Sequence, residues 1–345
     1  MNKGKYIFAQ IIEFLPHNDF ISCINKYQGH YKVQTFTCWH QLLYMIFGQL
    51  YNRDSLSDLI TCLQSQQNKS YHLGMGNGTS KANLAKANEN RDYRIYESFA
   101  MILVKQAQRL ALPFESFDLS IKEPVYAIDA SVIDLCLNVF WWGKFRKHKA
   151  AVKLHTMLDV KTNIPTFIYI TGGSVHEVNA LDVFPIEAES YYLMDKGYID
   201  FGRLHKIHKS NTFYVTRAKD NFKFVRLSSR PVDKSTGLKC DQTVRLKNKK
   251  VFLSHPDNIR RIKFYDSEIK MEFVFITNNF EVSALEIVGL YKCRWSIELF
   301  FKWIKQHLKV KTFWGCSMNA VKAQVYIAMI TFLLVAIVKH TLKLK

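Results

Sequence analysis

The pattern of apolar and polar positions divides the chain into a helical first third and a later part made mostly of strands. Apolar residues recur at helical spacing in the segments Ile7 to Leu15 and Thr37 to Leu50. A further helix is predicted from Ser55 to Leu63, where Ser55 can act as the N-cap. From residue 124 onward the apolar runs become short, β-branched and aromatic, which is typical of strands.

A glycine-rich turn at residues 74–80 precedes the last two helices predicted in the N-terminal part. Ser80 can cap the first of them, and the second is expected from Tyr96 to Leu110. The polar surface of the capped helix is consistent with a DNA-binding helix-turn-helix, or with an ordinary solvated helix after a loop. In the first interpretation, DNA is contacted by Lys81, Asn83 and Lys86.

Five strands and one helix are predicted between residues 124 and 217. The strands are Val125–Ala130, Ala150–Val160, Thr166–Thr171, Tyr191–Met194 and Thr212–Thr216. Short links join the first three strands, which favours an antiparallel meander. The helix is expected from Phe201 to Lys209, between the fourth and fifth strands.

Residues 217–280 form a block of different composition, rich in Lys, Arg and strand-like runs, and predict a β-rich insertion. Its predicted strands are Phe222–Leu227, Gln242–Leu246, Lys249–Leu253, Arg260–Tyr265 and Glu272–Thr277. One long helical pattern follows from Ser283 to Lys309, and a last helix from about Asn319 to Lys339. The apolar run Val325 to Val338 has 14 residues, which is too short to cross a bilayer and indicates a buried helix.

Charge and cysteine content narrow the class of protein. Lys and Arg number 48 against 29 Asp and Glu, which gives a formal net charge of +19. Such an excess favours a polyanionic partner, with nucleic acid ahead of an anionic membrane surface. The seven cysteines show no paired zinc-ligand spacing, and their odd number argues against a disulfide framework. They indicate reduced thiols in a cytoplasmic protein.

Three acidic residues stand where metal-dependent chemistry would need them. Asp129 and Asp195 each follow an apolar run, in YAIDAS and YYLMDKGY, and Glu298 lies within the long helical pattern. Charged side chains rarely end central strands unless something satisfies them. A pair of Mg²⁺ ions would do so, since Mg²⁺ prefers oxygen ligands and leaves positions for phosphate oxygens. Taken alone, each acid is better explained as a strand-end cap or a surface residue.

The spacing on the long helical pattern makes the combination more informative. A helix would place four residues within a stripe about 60° wide, namely Tyr291, Arg294, Glu298 and Lys305. Lys302 lies on the same stripe, while the opposite face is apolar and can pack on a sheet. A surface ion pair between Arg294 and Glu298 would explain two of these residues but not the other two.

The full spacing Tyr291-x2-Arg294-x3-Glu298-x6-Lys305 resembles the YREK signature of bacterial insertion-sequence transposases of the fourth insertion-sequence family. YAIDAS and MDKGY are similar to that family's first-aspartate and second-aspartate motifs, and KFRKHKAAVKLHTMLD is similar to its second strand. The helical N-terminal 110 residues also resemble the leader of this subgroup. The resemblance covers nearly the whole chain and indicates a DDE transposase.

The resemblance implies an α/β fold, in which helices flank a ribonuclease-H-like mixed sheet. It assigns Asp129, Asp195 and Glu298 as the catalytic and metal-binding triad. Residues 1–118 are then a helical DNA-binding domain, and residues 119–345 a catalytic domain interrupted by the insertion at about 217–280. By resemblance, Tyr291, Arg294 and Lys305 contact phosphates of the transposon end. Further DNA contacts are expected from the basic residues Lys302, Lys149, Lys153, Arg217 and Lys219.

The implied reaction is cut-and-paste DNA transposition with two Mg²⁺ ions per site, for which Mn²⁺ can substitute. A water molecule cuts double-stranded DNA at the transposon end, and the freed 3′-OH then attacks a second phosphodiester. When this second phosphodiester lies on the opposite strand, the product is a hairpin intermediate. The resemblance also implies a homodimer on paired ends, located on the nucleoid in the bacterial cytoplasm and in no membrane.

Two alternatives remain open from the sequence. One is a nuclease of the same fold that only hydrolyses DNA, which would show no strand joining. The other is a catalytically silent DNA-binding protein derived from a transposase, which would bind DNA without metal-dependent cleavage. The intact triad and signature spacing argue against the second alternative.

Overall fold

The computed structural model describes residues 6–65, 73–111, 119–136, 140, 142, 144–146, 149–310 and 312–344. Within these ranges the protein is a mixed α/β fold, as expected. The N-terminal helices are α1 (Ile7–Ile12), α2 (His17–Lys26), α3 (Cys38–Leu50), α4 (Leu56–Gln64), α5 (Lys81–Asn90) and α6 (Arg94–Ala111). The predicted caps are confirmed, because the Ser55 and Ser80 side chains accept hydrogen bonds from backbone N–H groups three residues later. The predicted helix from Ile7 to Leu15 is shorter and ends at Ile12.

The strands form a single sheet. Its strands are β1 (Val125–Leu135), β2 (Lys144–Arg146), β3 (Lys149–Asp159), β4 (Ile164–Gly172), β5 (Tyr191–Met194), β6 (Phe213–Arg217), β7 (Phe224–Arg230), β8 (Leu238–Leu246), β9 (Ile259–Asp266) and β10 (Met271–Thr277). The spatial order is β4-β3-β1-β5-β6-β10-β9-β8-β7, with β2 as a short hairpin partner of β3. Strands β4, β3 and β1 are antiparallel, which confirms the predicted meander.

The central strands pair in parallel and give the sheet its ribonuclease-H-like character. β5 lies between β1 and β6 and is parallel to both. Helix α7 (Phe201–Lys209) connects β5 to β6, as the sequence pattern predicted. The order β4-β3-β1-β5-β6 therefore joins an antiparallel meander to a parallel edge, which is the expected ribonuclease-H-like arrangement.

The predicted insertion continues the same sheet. Its last strand, β10, pairs antiparallel with β6 and then with β9, so the insertion adds four strands to the parallel edge. One predicted strand in it is wrong, because Lys249–Ser254 is a short helix, α8. The Asn248 side chain accepts hydrogen bonds from the backbone N–H groups of Lys250 and Val251, and this cap starts a helix despite the β-forming side chains.

The long predicted helix is also interrupted. It consists of α9 (Ala284–Cys293) and α10 (Trp295–His307), with Arg294 between them. Backbone hydrogen bonds run from Arg294 N–H to Tyr291 and from Ile297 N–H to Arg294, so the chain makes a tight three-residue turn at this point. The face predicted to pack on the sheet is confirmed, since Ile297 and Ile304 are buried.

The last helix, α11 (Met318–Thr341), packs against α6, α3 and α5. It has 24 residues, close to the predicted range and longer than the 14-residue apolar run within it, and is long and apolar enough to cross a membrane by those measures alone. The length argument was therefore wrong. The expected burial is confirmed, because 72% of its most apolar window is covered by other parts of the protein. This helix joins the N-terminal helices and the sheet in one hydrophobic core.

Candidate active site

Asp129 lies in the interior of β1. The sequence pattern had predicted that it lies at the end of the strand. β1 continues to Leu135, but its parallel pairing with β5 stops at Ile128 and Met194. Beyond that point β1 is paired on the β3 side only. Asp129 therefore stands at the end of the parallel pairing, where the side of the strand that faced β5 becomes open.

A row of residues at this level lies on four strands and directly after a fifth. Asp129 pairs with Thr156 of β3, and Asp195 directly follows Met194, which is the partner of Ile128 in the β1–β5 ladder. The same register brings Arg217 of β6 beside Asp195, and Arg217 pairs with Phe275 of β10. Residues in register on adjacent strands project from the same face of a sheet. The fold thus brings the two aspartates together on one face.

Helix α10 brings the third acid to that face. Glu298 lies in its first turn, and the Arg294 guanidinium donates to Glu298 Oε1 at 2.5 Å. The same guanidinium lies 3.6 Å from Asp129 Oδ2, measured from Arg294 Nη1. Arg294 is largely buried, with 11% of its side chain exposed. It therefore bridges two of the predicted triad members as their shared counter-ion.

The second aspartate has its own cation. Arg217 donates from Nη2 to Asp195 Oδ1 at 2.9 Å, and the Tyr291 hydroxyl donates to the same oxygen at 3.4 Å. The Tyr291 ring packs on Phe275 with 4.9 Å between ring centroids, which fixes its direction. Burial alone would raise the pKa of Asp195, but the Lys196 backbone N–H and the Arg217 guanidinium outweigh it and leave that pKa lowered.

Asp129 differs from Asp195 in its electrostatic balance. Burial raises the pKa of Asp129 to about 6, and the charges of Glu177 and Glu298 act in the same direction. The Ala130 backbone N–H and the Arg294 guanidinium oppose this rise but do not cancel it. Two adjacent aspartates thus have pKa values shifted in opposite directions, a pattern that is common at functional sites.

The donor set fits hard divalent cations. Carboxylate oxygens are the ligands that Mg²⁺ and Mn²⁺ prefer, and Asp129, Asp195 and Glu298 supply them on one face. Across the part of the chain that the structure describes, no three acidic, histidine or cysteine side chains lie close enough to hold an ion as placed. As placed, Arg294 contacts Asp129 and Glu298, and Arg217 contacts Asp195.

Comparison with known proteins places this arrangement in a family. The model of the transposase DDE domain matches residues 120–334, which is more than half of the chain and includes all three acids. The chain belongs to this DDE transposase family. Residues 3–76 match a domain of unknown function, DUF4372, which covers most of the N-terminal helices.

Curated transposases show the same similarity. The chain is 35% identical over 202 residues to the Sinorhizobium fredii protein named "Putative transposase y4zB", which covers 57% of this chain and 56% of that protein. It is 27% identical over 214 residues to the "Probable transposase for insertion sequence element IS5377" of Geobacillus stearothermophilus. That match covers 61% of this chain and 56% of the relative. A Synechocystis protein named "Putative transposase for insertion sequence element IS4SA" is 25% identical over 257 residues. That match covers 72% of this chain and 69% of the relative. The chain thus spans little more than half the length of the first two relatives.

The residues predicted to contact DNA fall into different settings. Several are exposed, namely Lys81, Asn83, Lys86, Lys219 and Lys302. Lys305 is half-buried and donates from Nζ to the Val132 carbonyl of β1 at 3.1 Å, which places it on the active face beyond Asp129. The first five residues are therefore at the surface, whereas Lys305 is held against β1.

Lys153, which was also predicted to contact DNA, is only 8% exposed. Its ammonium group donates to the Val175 carbonyl at 2.9 Å and lies 3.5 Å from Glu177 Oε1. A buried ammonium group needs such partners, so Lys153 stabilises the 3-10 helix Glu177–Asp182, and its contact with DNA stays a prediction. The side chain of Lys149, also predicted to contact DNA, lies outside the described residues.

Sequence reasoning missed three polar residues around the aspartates. Glu177 lies against the turn after Asp195, where its Oε2 would be 3.7 Å from a Cβ placed on Gly197. Tyr198 and Thr156 are buried, and their hydroxyl groups have no hydrogen-bond partner among the described residues. The spacing of Thr156 on the second predicted strand could have placed it on the Asp129 face, but only once the register between the two strands was known.

Proposed function

We propose that this protein is the transposase of an insertion sequence, with Asp129, Asp195 and Glu298 as its catalytic carboxylates. The observation that carries the proposal is the row on the sheet: Asp129 and Asp195 are adjacent in register, and Arg294 connects Asp129 to Glu298. Membership of the DDE transposase family supports it, as do the names of the curated relatives. The full YREK spacing supports assignment to the fourth insertion-sequence family.

The reaction is phosphodiester chemistry on double-stranded DNA in two steps. Water attacks the phosphorus at the transposon end, and the bond from phosphorus to the 3′ oxygen of that end breaks. This leaves a 3′-OH on the transposon and a 5′-phosphate on the flanking DNA. The 3′ oxygen then attacks a second phosphodiester, and that linkage loses its own 3′ oxygen as the leaving group. Attack on the opposite strand gives a hairpin.

Two Mg²⁺ ions, or Mn²⁺ ions in their place, are the cofactors we propose. Asp129 would contact both, while Asp195 and Glu298 would each hold one. Bound there, the ions would supply the positive charge that activates the attacking oxygen and stabilises the departing one. The chain's own contribution is to hold three carboxylates on one face, because mutual repulsion would otherwise keep them apart.

Arg294 and Arg217 have a second role in this proposal. They neutralise the carboxylates in the absence of substrate, with contacts of 3.6 Å to Asp129 and 2.9 Å to Asp195. Arginine also binds phosphate through two parallel hydrogen bonds. Transposon-end phosphates would therefore draw the guanidinium groups away from the acids while cations take their place. Binding of DNA and binding of metal are then mutually favourable.

A cleft beside Asp195 fits a DNA strand in this arrangement. It has a volume of about 400 Å³, and its lining contains four cations, three aromatic rings and two acids, namely Lys196, Arg217, Lys219, Arg261, Phe222, Phe224, Phe273, Asp220 and Glu272. Cations can follow a phosphate backbone, and aromatic rings can stack on bases. Together with Tyr291, Lys302 and Lys305, this cleft would hold the end to be cut. Residues 1–118 would form a DNA-binding domain that shares its hydrophobic core with the rest of the chain, and two copies of the chain would pair two ends.

The test is a cleavage and strand-joining assay in Mg²⁺ on a duplex that carries the inverted repeat flanking the gene. We expect a nick or double-strand cut at the repeat, followed by a joined product. Asp129→Asn and Asp195→Asn should abolish both steps, while Glu268→Gln, in an exposed turn, serves as the control. Cleavage without any joining would favour a hydrolytic nuclease. Binding without cleavage would favour a silent relative, and either result would overturn the proposal.

A further inference from the structure

Thr156 is a buried polar residue on an interior strand of the sheet, next to the edge strand β4, and its hydroxyl group has no structural use. It is fully buried on β3, and Oγ1 has no hydrogen-bond partner among the described residues. A buried hydroxyl without a partner destabilises the folded state. Valine has nearly the same shape, suits a strand equally well and avoids this cost. The hydroxyl therefore has no explanation in the stability of the fold.

The position of Thr156 points to Asp129. The two residues are direct partners across the antiparallel β1–β3 ladder and project from the same face. Side chains in such pairs have their Cβ atoms about 4.5–5.5 Å apart. On its other side, Asp129 is next in register to Asp195. Thr156 is therefore the cross-strand neighbour of the proposed bridging carboxylate.

The present contacts of Asp129 explain why the hydroxyl has no partner. Asp129 Oδ1 accepts a hydrogen bond from the Ala130 backbone N–H at 2.8 Å, and Oδ2 faces Arg294 at 3.6 Å. This orientation belongs to the state in which Arg294 is the counter-ion. For Asp129 to take a cation, its carboxylate must leave Arg294 and reorient on the face that it shares with Thr156.

We propose that Thr156 is a positioning residue, whose hydroxyl donates a hydrogen bond to the reoriented Asp129 carboxylate and holds it ready for a divalent cation. This inference rests on the proposed function. Metal-binding carboxylates are commonly held by hydrogen bonds from neighbouring groups, and loss of such a partner typically lowers metal affinity or activity 10- to 100-fold. A threonine fixed on an interior strand is suited to this role, because its χ1 angle is restricted.

The experiment compares Thr156→Val with the parent protein, using Mn²⁺ binding to the protein–DNA complex as the readout. Free Mn²⁺ is measured by electron paramagnetic resonance with the protein on its inverted-repeat duplex. We expect Thr156→Val to be as stable as the parent or more stable, to bind Mn²⁺ about 10- to 100-fold more weakly, and to recover cleavage at high Mn²⁺. Thr156→Ser, which keeps the hydroxyl, should stay close to the parent.

Thr216→Val is the matched control. Thr216 is also buried on an interior strand, but it is in register with Met194 and projects from the opposite face. We expect its Mn²⁺ affinity and cleavage to equal those of the parent. If Thr156→Val does not fold, the pair Thr156→Ala and Thr156→Ser makes the same comparison, since the two differ only in the hydroxyl group.

Parent-like Mn²⁺ affinity in Thr156→Val would overturn the positioning role. So would equal losses in the serine and valine variants, because a lost shape would then explain both. Failure of the proposed function looks different. In that case Asp129→Asn would still cut DNA, whatever the behaviour of the Thr156 variants.

Discussion

The exchange of Arg294 for cations makes a prediction about stability that can be tested without DNA. Arg294 is the counter-ion of Asp129 and Glu298, whose side chains are 22% and 33% exposed against 11% for Arg294. Arg294→Gln leaves the two carboxylates without that charge. Removing one partner of a buried ion pair costs about 3–5 kcal/mol. Because Glu298 is partly solvated and its charge is screened by water, we expect Arg294→Gln to lower the free energy of unfolding by about 3 kcal/mol, the lower end of this range.

Metal should reverse this loss. In EDTA at pH 7, Arg294→Gln should unfold at lower urea concentration than the parent. Mn²⁺ should stabilise the variant more than the parent, since the acids of the variant have no competing guanidinium. A free Mn²⁺ concentration 100 times the dissociation constant would return about 2.7 kcal/mol, which nearly offsets the loss.

The assay is urea unfolding followed by fluorescence, with and without Mn²⁺. Arg203→Gln is the matched control, because Arg203 also pairs with two acids, Asp182 and Asp200, but away from the proposed site. Its stability should not depend on Mn²⁺ more than that of the parent. If Arg294→Gln is as stable as the parent in EDTA, or if Mn²⁺ stabilises both equally, Arg294 is not the counter-ion that cations replace.

Three further predictions concern other parts of the protein. Glu298→Gln should abolish cleavage and leave DNA binding equal or tighter. Lys305→Ala should weaken DNA binding, and in a salt titration the slope of log affinity against log salt concentration should become smaller in magnitude by about one. If α5 reads DNA, Lys81→Ala and Lys86→Ala should weaken binding to the inverted repeat while changing the free energy of unfolding by less than about 0.5 kcal/mol; unchanged affinity would make α5 a solvated helix. Burial lowers the pKa of His255 to about 4, whereas its pKa in the unfolded chain is about 6.5. Between pH 4 and pH 6.5, therefore, His255 binds a proton in the unfolded chain but not in the folded protein. Stability should therefore fall as pH drops from 6.5 toward 4, by about 3 kcal/mol from this residue, and urea unfolding of His255→Gln should show a smaller decrease.

The sequence by itself determined the local elements where a strong periodic pattern met a clear signal at its end. Ser55 and Ser80 start helices because their hydroxyl groups satisfy backbone N–H groups of the next turn, which is a property of a few adjacent residues. Helix α7 and strand β5 were predicted with the bounds that the structure shows. Errors occurred where a local detail opposed the pattern, as at the Asn248 cap of α8 and the tight turn at Arg294.

The sequence also indicated which acids belong together, but only through the spacing of a signature and its resemblance to a family. Which side chains actually meet was decided by the register of the strands. The pairing of Ile128 with Met194 sets Asp129 beside Asp195, although 66 positions separate them along the chain. No local pattern carries that information, because the register depends on how both faces of the sheet bury their apolar side chains.

Tertiary structure alone decided the state of the charges. Lys153 lies on a predicted strand and Arg217 directly follows one, and no sequence pattern distinguishes the surroundings of the two basic residues. In the fold, Lys153 is buried against Val175 and Glu177, whereas Arg217 reaches Asp195 beside an open cleft. A charged group taken out of water needs a partner, and only the packed structure determines which partner is near enough to satisfy it.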